Sequence, residues 1–302
     1  MSTSTTARVP DVSVVIPSWN SARTIGRCLD ALLAQQTTLH YEVLVVDSGE
    51  DDTAALVAAY ADREAPRVQL IRSPTRLFPG PARNLGLRQA RAPLIAFTDT
   101  DCLPDPGWLA ALHRASHAGT GAATQAVGGR ILNGTTESLC GTALYLTEFV
   151  EFAGTGVRRY ASIPSCNLAW PRPLLDQHGD FPAVFWGEEY ILNTRLPEQI
   201  LFVPDMVVRH VNRTGLRETV RHARKVGRGA ALSRRLTGQH GVLFRWPVLI
   251  PLLFGFRLLK IAQKSAAAGL FGTFLWASPM VLLDLAAWTV GFWQGAREQT
   301  GG

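Results

Sequence analysis

Through the first third of the chain, short β-branched runs alternate with stretches of helically spaced apolar residues, and no other feature restricts the fold so tightly. This is the rhythm of βαβ units, in which helices cover a mostly parallel sheet. Val12 to Ile16 reads as a buried strand stopped by Pro17. Ser21 is placed to cap a helix in which Ile25, Leu29, Leu32 and Leu33 share one face, as far as Gln35 and Gln36. Glu42 to Val46 is a second strand, and Asp51-Asp52-Thr53 opens a helix through Ala61 with acids in its first turn. Val68 to Ile71 is a third strand. Gly80-Pro81 starts another helix, and Leu94 to Thr98 is a fourth strand running into Asp99-Thr100-Asp101. From about Val127 the alternation loosens into α+β. A strand is expected at Val127 to Leu132, helical stretches near Leu139 to Phe152 and Arg172 to His178, and strands near Ile200 and Val207.

Asp47 and the Asp99-Thr100-Asp101 turn both fall at the carboxyl ends of strands, where an open α/β sheet binds its ligands. A nucleotide site is expected there. A transferase using a sugar nucleotide must stabilise a departing diphosphate, and a hard cation held by carboxylates does so. Spaced two apart, Asp99 and Asp101 can divide the work, one toward the ribose or a metal-bound water and the other on the metal. The alternative is an acidic surface turn. However, Leu94 to Thr98 is apolar enough for a central strand, and two carboxylates at its buried end are unfavourable without a cation or partner. Asp47 can accept a hydrogen bond from a base or ribose, or it can simply cap the helix that follows.

Further along, Trp186-Gly187-Glu188-Glu189-Tyr190 follows the loop Phe181-Pro182-Ala183-Val184-Phe185 and begins a helix ending near Leu196. Two acids in a first turn ordinarily compensate the helix dipole. Transfer to a hydroxyl also needs a general base, and an aromatic surround raises a carboxylate's pKa toward that use. Glu189 is the candidate base, with Glu188 binding or orienting the acceptor. His210, closing the apolar run Phe202 to Val208, is either structural or a third metal ligand. Arg217, Arg221, Arg224, Lys225 and Arg228 recur at helical spacing as one basic face, which is solvated or meets a diphosphate or anionic lipid.

Composition matters chiefly at the end of the chain. Hydrophobic residues make up 47% and charged ones 18%, the formal net charge is +6, and the apolar excess lies in the last quarter. The basic residues gather between Arg209 and Arg235, just before that apolar tail, a placement that favours a membrane surface over nucleic acid. Trp246 to Phe256 is too short to cross a hydrocarbon core of roughly 30 Å and reads as interfacial or re-entrant. Leu270 to Trp293 is long enough, but it carries Pro279 and Asp284, and a mid-bilayer carboxylate is unfavourable by about 2.5–3.5 kcal/mol. Membrane-associated helices are expected, whether they span the membrane or lie on it. Four scattered cysteines with no CxxC pair suggest neither a zinc site nor a disulfide framework, and the polar N-terminus lacks a signal-peptide core. The first domain is therefore expected at the cytoplasmic face of a membrane, with the sequons at Asn133 and Asn212 as chance matches. A dinucleotide-binding Rossmann enzyme is disfavoured, because the turn after the first strand, Pro17-Ser18-Trp19-Asn20, lacks G-x-G-x-x-G.

Taken in order, VSVVIPSWN, VLVVDSGEDDT and PGPARNLGLRQARAPLIAFTDTDC resemble the first-strand, second-strand and DxD segments of glycosyltransferase family 2. The resemblance covers about residues 11 to 235. It implies a GT-A fold, α/β and Rossmann-like with a mostly parallel central sheet, followed by membrane-associated helices. Residues 1–10 would be a flexible N-terminus, 11–126 the nucleotide-sugar half, 127–235 the acceptor half, and 242–295 the membrane-associated segment. It further implies Pro17, Ser18 and Asp47 around base and ribose, Arg83 and Asn84 beside the donor, and Mg or Mn at Asp99 and Asp101. SCNLAWPRPLLDQHGDF and GEEYILNTRL are similar to the segment whose acidic pair supplies the inverting base, with Glu189 in place of the usual aspartate. His210 and Lys225-Val226-Gly227-Arg228-Gly229 resemble a late histidine and a Tyr-Gly-Arg-Gly-like motif. Gln-x-x-Arg-Trp, the processive motif, is absent, so transfer of a single sugar is expected. A UDP-sugar is the first choice of donor, and the acceptor is a glycan or lipid-linked one, with no nucleic-acid partner. The competing expectation is a membrane-bound sugar-nucleotide scaffold or sensor that binds without turnover.

Overall fold

The computed structural model describes residues 8–117, 125–196, 199–239, 241, 244 and 246–298. The N-terminal part of the segment expected to be flexible, 1–7, lies outside them. In chain order the elements are β1 (Val12–Ser18), α1 (Ile25–Leu33), β2 (Tyr41–Asp47), α2 (Thr53–Arg63), β3 (Val68–Arg72), α3 (Pro79–Gln89), β4 (Leu94–Phe97), β5 (Cys102–Pro104), α4 (Trp108–Ser116), β6 (Val127–Asn133) and α5 (Leu139–Glu148). They continue with β7 (Arg158–Tyr160), β8 (Leu168–Pro171), α6 (Arg172–His178), α7 (Glu188–Asn193), β9 (Ile200–His210), α8 (Leu216–Leu236), α9 (Leu252–Ala267) and α10 (Phe271–Arg297).

One sheet runs in the order β3-β2-β1-β4-β8-β6-β9-β5, with β7 also paired to β9. Its first half, β3 to β4, is parallel, as βαβ alternation requires. Val14, Val15, Ile16, Val43, Val45, Leu94 and Phe97 are fully buried, consistent with helices covering both faces. At β8 the direction reverses, and the second half mixes antiparallel pairs with the parallel β6–β9 ladder. Parallel ladders still carry most of the paired residues.

Pro17 does not stop β1. It pairs with Val46 beyond the last β1–β4 partner, Val15 with Phe97, so on that side no ladder bond is lost through its missing N–H. The strands expected near Ile200 and Val207 are one strand. The register on β6 jumps from Gly129–Val203 to Arg130–Val207, so Pro204, Asp205 and Met206 are accommodated as a bulge. Ser21 caps through its backbone only: its carbonyl accepts from Thr24 and Ile25.

The apolar tail is folded onto the domain. α10 buries Phe274, Ala277, Val281, Leu285, Trp288 and Phe292, a stripe at helical spacing, against α8 and α5. Gly227 makes this closeness possible, since a Cβ there would meet the Trp288 carbonyl oxygen at 2.0 Å and the Phe292 nitrogen at 2.9 Å. Asp284 is on the buried side, 3% exposed, beside Thr147 and Arg257. Burial and the nearby Glu148 push its carboxyl up to about 7, so it approaches neutrality without facing lipid. The outward face of α10 shows Phe271, Leu275, Trp276, Leu282, Leu283, Val290 and Trp293. α10 is the one described helix long and apolar enough to cross a membrane by length and composition.

Candidate active site

A cleft of about 1310 Å³ opens along the carboxyl ends of β1 and β4 and continues past α7 to α8 and α9. Pro17, Ser18, Arg83, Asp99, Asp101, Glu188, Glu189 and His210 all line it. Asp47 and Asn84 do not.

Asp101 and His210 are brought together by strand pairing. Cys102 is opposite His210 in the β5–β9 ladder, and the amide of Val211 donates to the Asp101 carbonyl at 2.8 Å. The imidazole Nε2 then lies 3.6 Å from Asp101 Oδ1, while Nδ1 is 2.9 Å from Asn212 Oδ1. The Asn212 amide nitrogen faces Asn133 Oδ1, Thr135 Oγ1 and the His210 carbonyl oxygen, which leaves its oxygen to accept from Nδ1. Nε2 therefore carries the lone pair, turned toward a carboxylate, an arrangement suited to a metal ligand. Cys102 is near the same point but fully buried. Burial and the neighbouring Cys166 hold its thiol far above the ordinary range, so it stays protonated and is a poor ligand. A carboxylate oxygen with an imidazole nitrogen is a donor set for a divalent cation, the oxygen favouring Mg or Mn and the imidazole the later transition metals.

Arg83, 2% exposed, spans two acids. Its guanidinium donates to Asp99 Oδ1 at 2.7 Å and forms a short ion pair with Glu188. Asp99 is thus drawn away from Asp101 and toward α3, and burial raises its pKa against the lowering effect of Arg83. Asn84, next to Arg83, is occupied elsewhere. Its amide donates to the Phe181 carbonyl at 2.8 Å and accepts from the Phe181 amide at 2.9 Å, tying α3 to the loop before α7. That loop ends at Gly187, whose φ of 78° turns the chain into α7 in a conformation that favours glycine.

The acidic pair divides at that turn. Glu188 is 4% exposed and held by Arg83, whereas Glu189 opens on the cleft with no ion-pair partner among the described residues. Burial and the Glu188 charge raise the Glu189 pKa, and Arg83 opposes them in part. Asp47 is fully buried beneath Ser18, which donates to it at 2.9 Å, and is ion-paired to Arg72. Its carboxylate is satisfied within the sheet edge, so it supports Ser18 in this structure and reaches no cleft surface.

Several residues here escaped sequence reading. Asn133 and Asn212, dismissed as chance sequons, orient His210, and an asparagine two residues after a candidate ligand was the available signal. His222 of α8 is 2.7 Å from Glu148 and stacks edge-on to Trp186, 5.1 Å between centroids, joining α8 and α5 to the Gly187 turn. Arg76 lies 3.9 Å over the exposed Trp19 ring at the cleft mouth.

A parallel half-sheet joined to a mixed half, with acids gathered at strand ends on the junction, defines the GT-A class of fold. The structure of a mannosyltransferase from Pyrobaculum calidifontis in complex with GDP-Man and Mn2+ superposes with a TM-score of 0.60 over 95% of this chain and 88% of that one, at 21% identity. Residues 13–161 match the family model for Glycosyl transferase family 2. Among curated relatives, the glycosyltransferase AglE of Haloferax volcanii is 35% identical over 105 residues, 34% of either chain. The succinoglycan biosynthesis protein ExoO of Rhizobium meliloti is 45% identical over 94 residues, 31% of this chain and 26% of its own. The matched region thus spans about a third or less of these relatives' length.

Proposed function

We propose that the protein transfers one sugar from a nucleotide-diphosphate donor to an acceptor hydroxyl, with inversion, at the cytoplasmic surface of a membrane. The observation that carries this reading is the division of the acidic pair: Glu188 is ion-paired to Arg83, and Glu189 faces the same cleft as Asp101 and His210 with no ion-pair partner among the described residues. Pro17 and Ser18 flank the nucleotide, with Asp47 behind them. Asp101 and His210 would hold Mn or Mg, with Asp99 contributing beside Arg83, and the bound ion would supply positive charge at the departing diphosphate. Glu189 takes the proton of the acceptor hydroxyl as that oxygen forms its bond to the anomeric carbon, and the bond to the nucleoside diphosphate breaks on the opposite side. Arg83 holds Glu188, which leaves Glu189 as the member of the acidic pair that acts as base. The structural neighbour's complex with GDP-Man and Mn2+ supports a metal and a nucleotide sugar, and leaves UDP as one donor among those to be tried. Membrane association is supported by the outward apolar faces of α9 and α10, while the burial of α10 against α8 favours a helix lying on the domain over one that crosses.

The test is thermal stabilisation by UDP-, GDP- and TDP-sugars with Mn, followed by product analysis with the donor that stabilises. One donor class requiring both Mn and Asp101, and a product of inverted anomeric configuration, is expected. A retained configuration, or no stabilisation by any donor, refutes it.

A further inference from the structure

The ion side and the base side of the cleft are joined by a chain of contacts, with a buried charge pair at its middle that neither donor nor base chemistry uses. On the ion side, the Phe149 ring packs on the His210 imidazole, 4.6 Å between centroids. Phe149 directly follows Glu148, the last residue of α5, and Glu148 Oε1 accepts from His222 Nε2 of α8 at 2.7 Å. On the base side, the His222 ring meets Trp186 edge-on, 5.1 Å between centroids. Trp186 stands just ahead of the Gly187 turn and Glu189. Glu148, Phe149, Trp186 and His222 all line the cleft.

Both ends of the chain are held closely. A Cβ at Gly229 would run into the Trp186 side chain and one at Gly187 into Ser233, and Ser233 donates to the Trp186 carbonyl at 3.3 Å. The turn that delivers Glu189 therefore moves with α8. His210 is fixed by the β5–β9 ladder and by Asn212, and the Phe149 amide donates to the Tyr145 carbonyl at 2.8 Å. Between α5 and α8, the Glu148–His222 pair is the one hydrogen-bonded contact among the described residues.

Stability alone gives little reason for charge at this place. The Glu148 side chain is 19% exposed and that of His222 9%, and apolar side chains of similar volume often serve a buried position as well as an ion pair does. A hydrogen bond adds direction and a fixed length. Burial works to raise the Glu148 pKa, but His222, His210 and Arg213 together outweigh it, so the carboxyl stays ionised and accepts.

We propose that Glu148 and His222 are positioning residues for glycosyl transfer, their hydrogen bond setting how far Glu189 on the Trp186 turn stands from the ion site at Asp101 and His210. This rests on the glycosyl-transfer reading above, in which Glu189 takes the acceptor proton while the ion meets the diphosphate leaving from the opposite side. Groups that act together on one displacement tolerate little error, and a shift of about 1 Å lowers the rate about 100-fold without weakening donor binding.

The experiment is kinetic, on the full chain. The donor is whichever UDP-, GDP- or TDP-sugar stabilises the protein with Mn, water is the acceptor, and release of nucleoside diphosphate is followed. His222→Leu and Glu148→Leu break the hydrogen bond, and each should lower kcat about 10- to 100-fold at unchanged donor KM, with Mn-dependent donor stabilisation retained. The double Leu variant should be no slower than either single one, because the pair acts as a unit. Glu148→Gln keeps an acceptor and His222→Gln a donor of similar reach, so each should keep most of the rate. If a Leu variant loses donor stabilisation, His222→Asn, too short to reach Glu148, replaces it with the same expected fall in kcat. Unchanged kcat in the variants that break the bond, equal losses in the Gln variants, or losses that multiply in the double variant overturn the proposal. So does a raised donor KM at unchanged kcat, which would mark direct contact with the donor. Glu189→Gln is measured alongside: release as fast as in the unaltered protein, or no release by the unaltered protein, marks failure of the glycosyl-transfer reading itself. A slowed Glu189→Gln beside undiminished Leu variants marks failure of the positioning role alone.

Discussion

Replacing Arg83 with methionine keeps an unbranched apolar stem and removes the charged guanidinium, and the consequence follows from burial. Arg83 is 2% exposed and the Glu188 side chain 6%, so the variant strands a carboxylate that has no other cation within ion-pairing distance among the described residues. Breaking a buried ion pair from one side costs about 3–5 kcal/mol. Proton uptake sets a ceiling, since neutralising a glutamate of ordinary acidity at pH 7 costs about 3.7 kcal/mol, and the ceiling falls by about 1.4 kcal/mol for each unit of pH. The expected loss is therefore about 3–4 kcal/mol at pH 7 and about half that near pH 5.5. Urea unfolding of both proteins at the two pH values, read at constant m, measures it. Adding Glu188→Gln to the variant should restore most of the loss, because the stranded charge is gone. A single variant less than about 1 kcal/mol destabilised, or a double variant no better than the single, would show that Arg83 and Glu188 are not coupled as described.

Glu189→Gln should lower kcat by about 100- to 10,000-fold while leaving Mn-dependent donor stabilisation intact, and an unchanged kcat would remove Glu189 as the base. Because burial and Glu188 raise the Glu189 pKa to about 8 in the free protein, kcat/KM should fall as pH drops through the neutral range, and the acid limb should vanish in Glu189→Gln. The same raised pKa contributes stability that is fully present below the ordinary glutamate pKa and is lost as pH rises through the folded value, so the Gln variant should lose less stability on going from pH 5 to 9. Asn212→Ala should leave the fold intact and weaken Mn binding by about 10- to 100-fold, seen as a higher Mn requirement for activity, because His210 loses the acceptor that sets its tautomer. Gly227→Ala should destabilise by about 1–3 kcal/mol in thermal or urea unfolding, since its Cβ meets backbone atoms of α10 that no rotamer change can move aside.

The parallel half of the sheet was legible because its strands are fully buried and its connections regular. β1 to β4 and α1 to α3 fall where the apolar spacing places them, within a residue or two at most ends. The second half read less well for reasons that are local. Cys102–Pro104, Arg158–Tyr160 and Leu168–Pro171 are too short to show a period, and they exist as strands only because longer neighbours pair with them. The strands expected near Ile200 and Val207 are one strand, bulged at Pro204 to Met206. Sequence order placed the Asp99-Thr100-Asp101 turn and the Glu188-Glu189 pair at the cleft. It gave no sign that Arg83, which also holds Asp99, reaches Glu188 across 105 residues of chain, since such a contact depends on the reversal at β8. Asp47 and Asn84 matched a family pattern, yet their hydrogen bonds are spent on Arg72, Ser18 and Phe181, which spacing alone does not reveal.

α8 touches two things at once. On one flank Ser233 reaches the Trp186 carbonyl at 3.3 Å and His222 meets the Trp186 ring, and on another Gly227 lies against the backbone of α10. Trp186 immediately precedes the turn that delivers Glu188 and Glu189. Trimming the apolar tail to obtain a better-behaved protein would therefore remove the surface on which α8 rests, and rates measured on such a fragment would describe a differently shaped cleft. The practical rule is to solubilise the whole chain with lipid or detergent first, and to shorten it only after the proposed turnover has been tested.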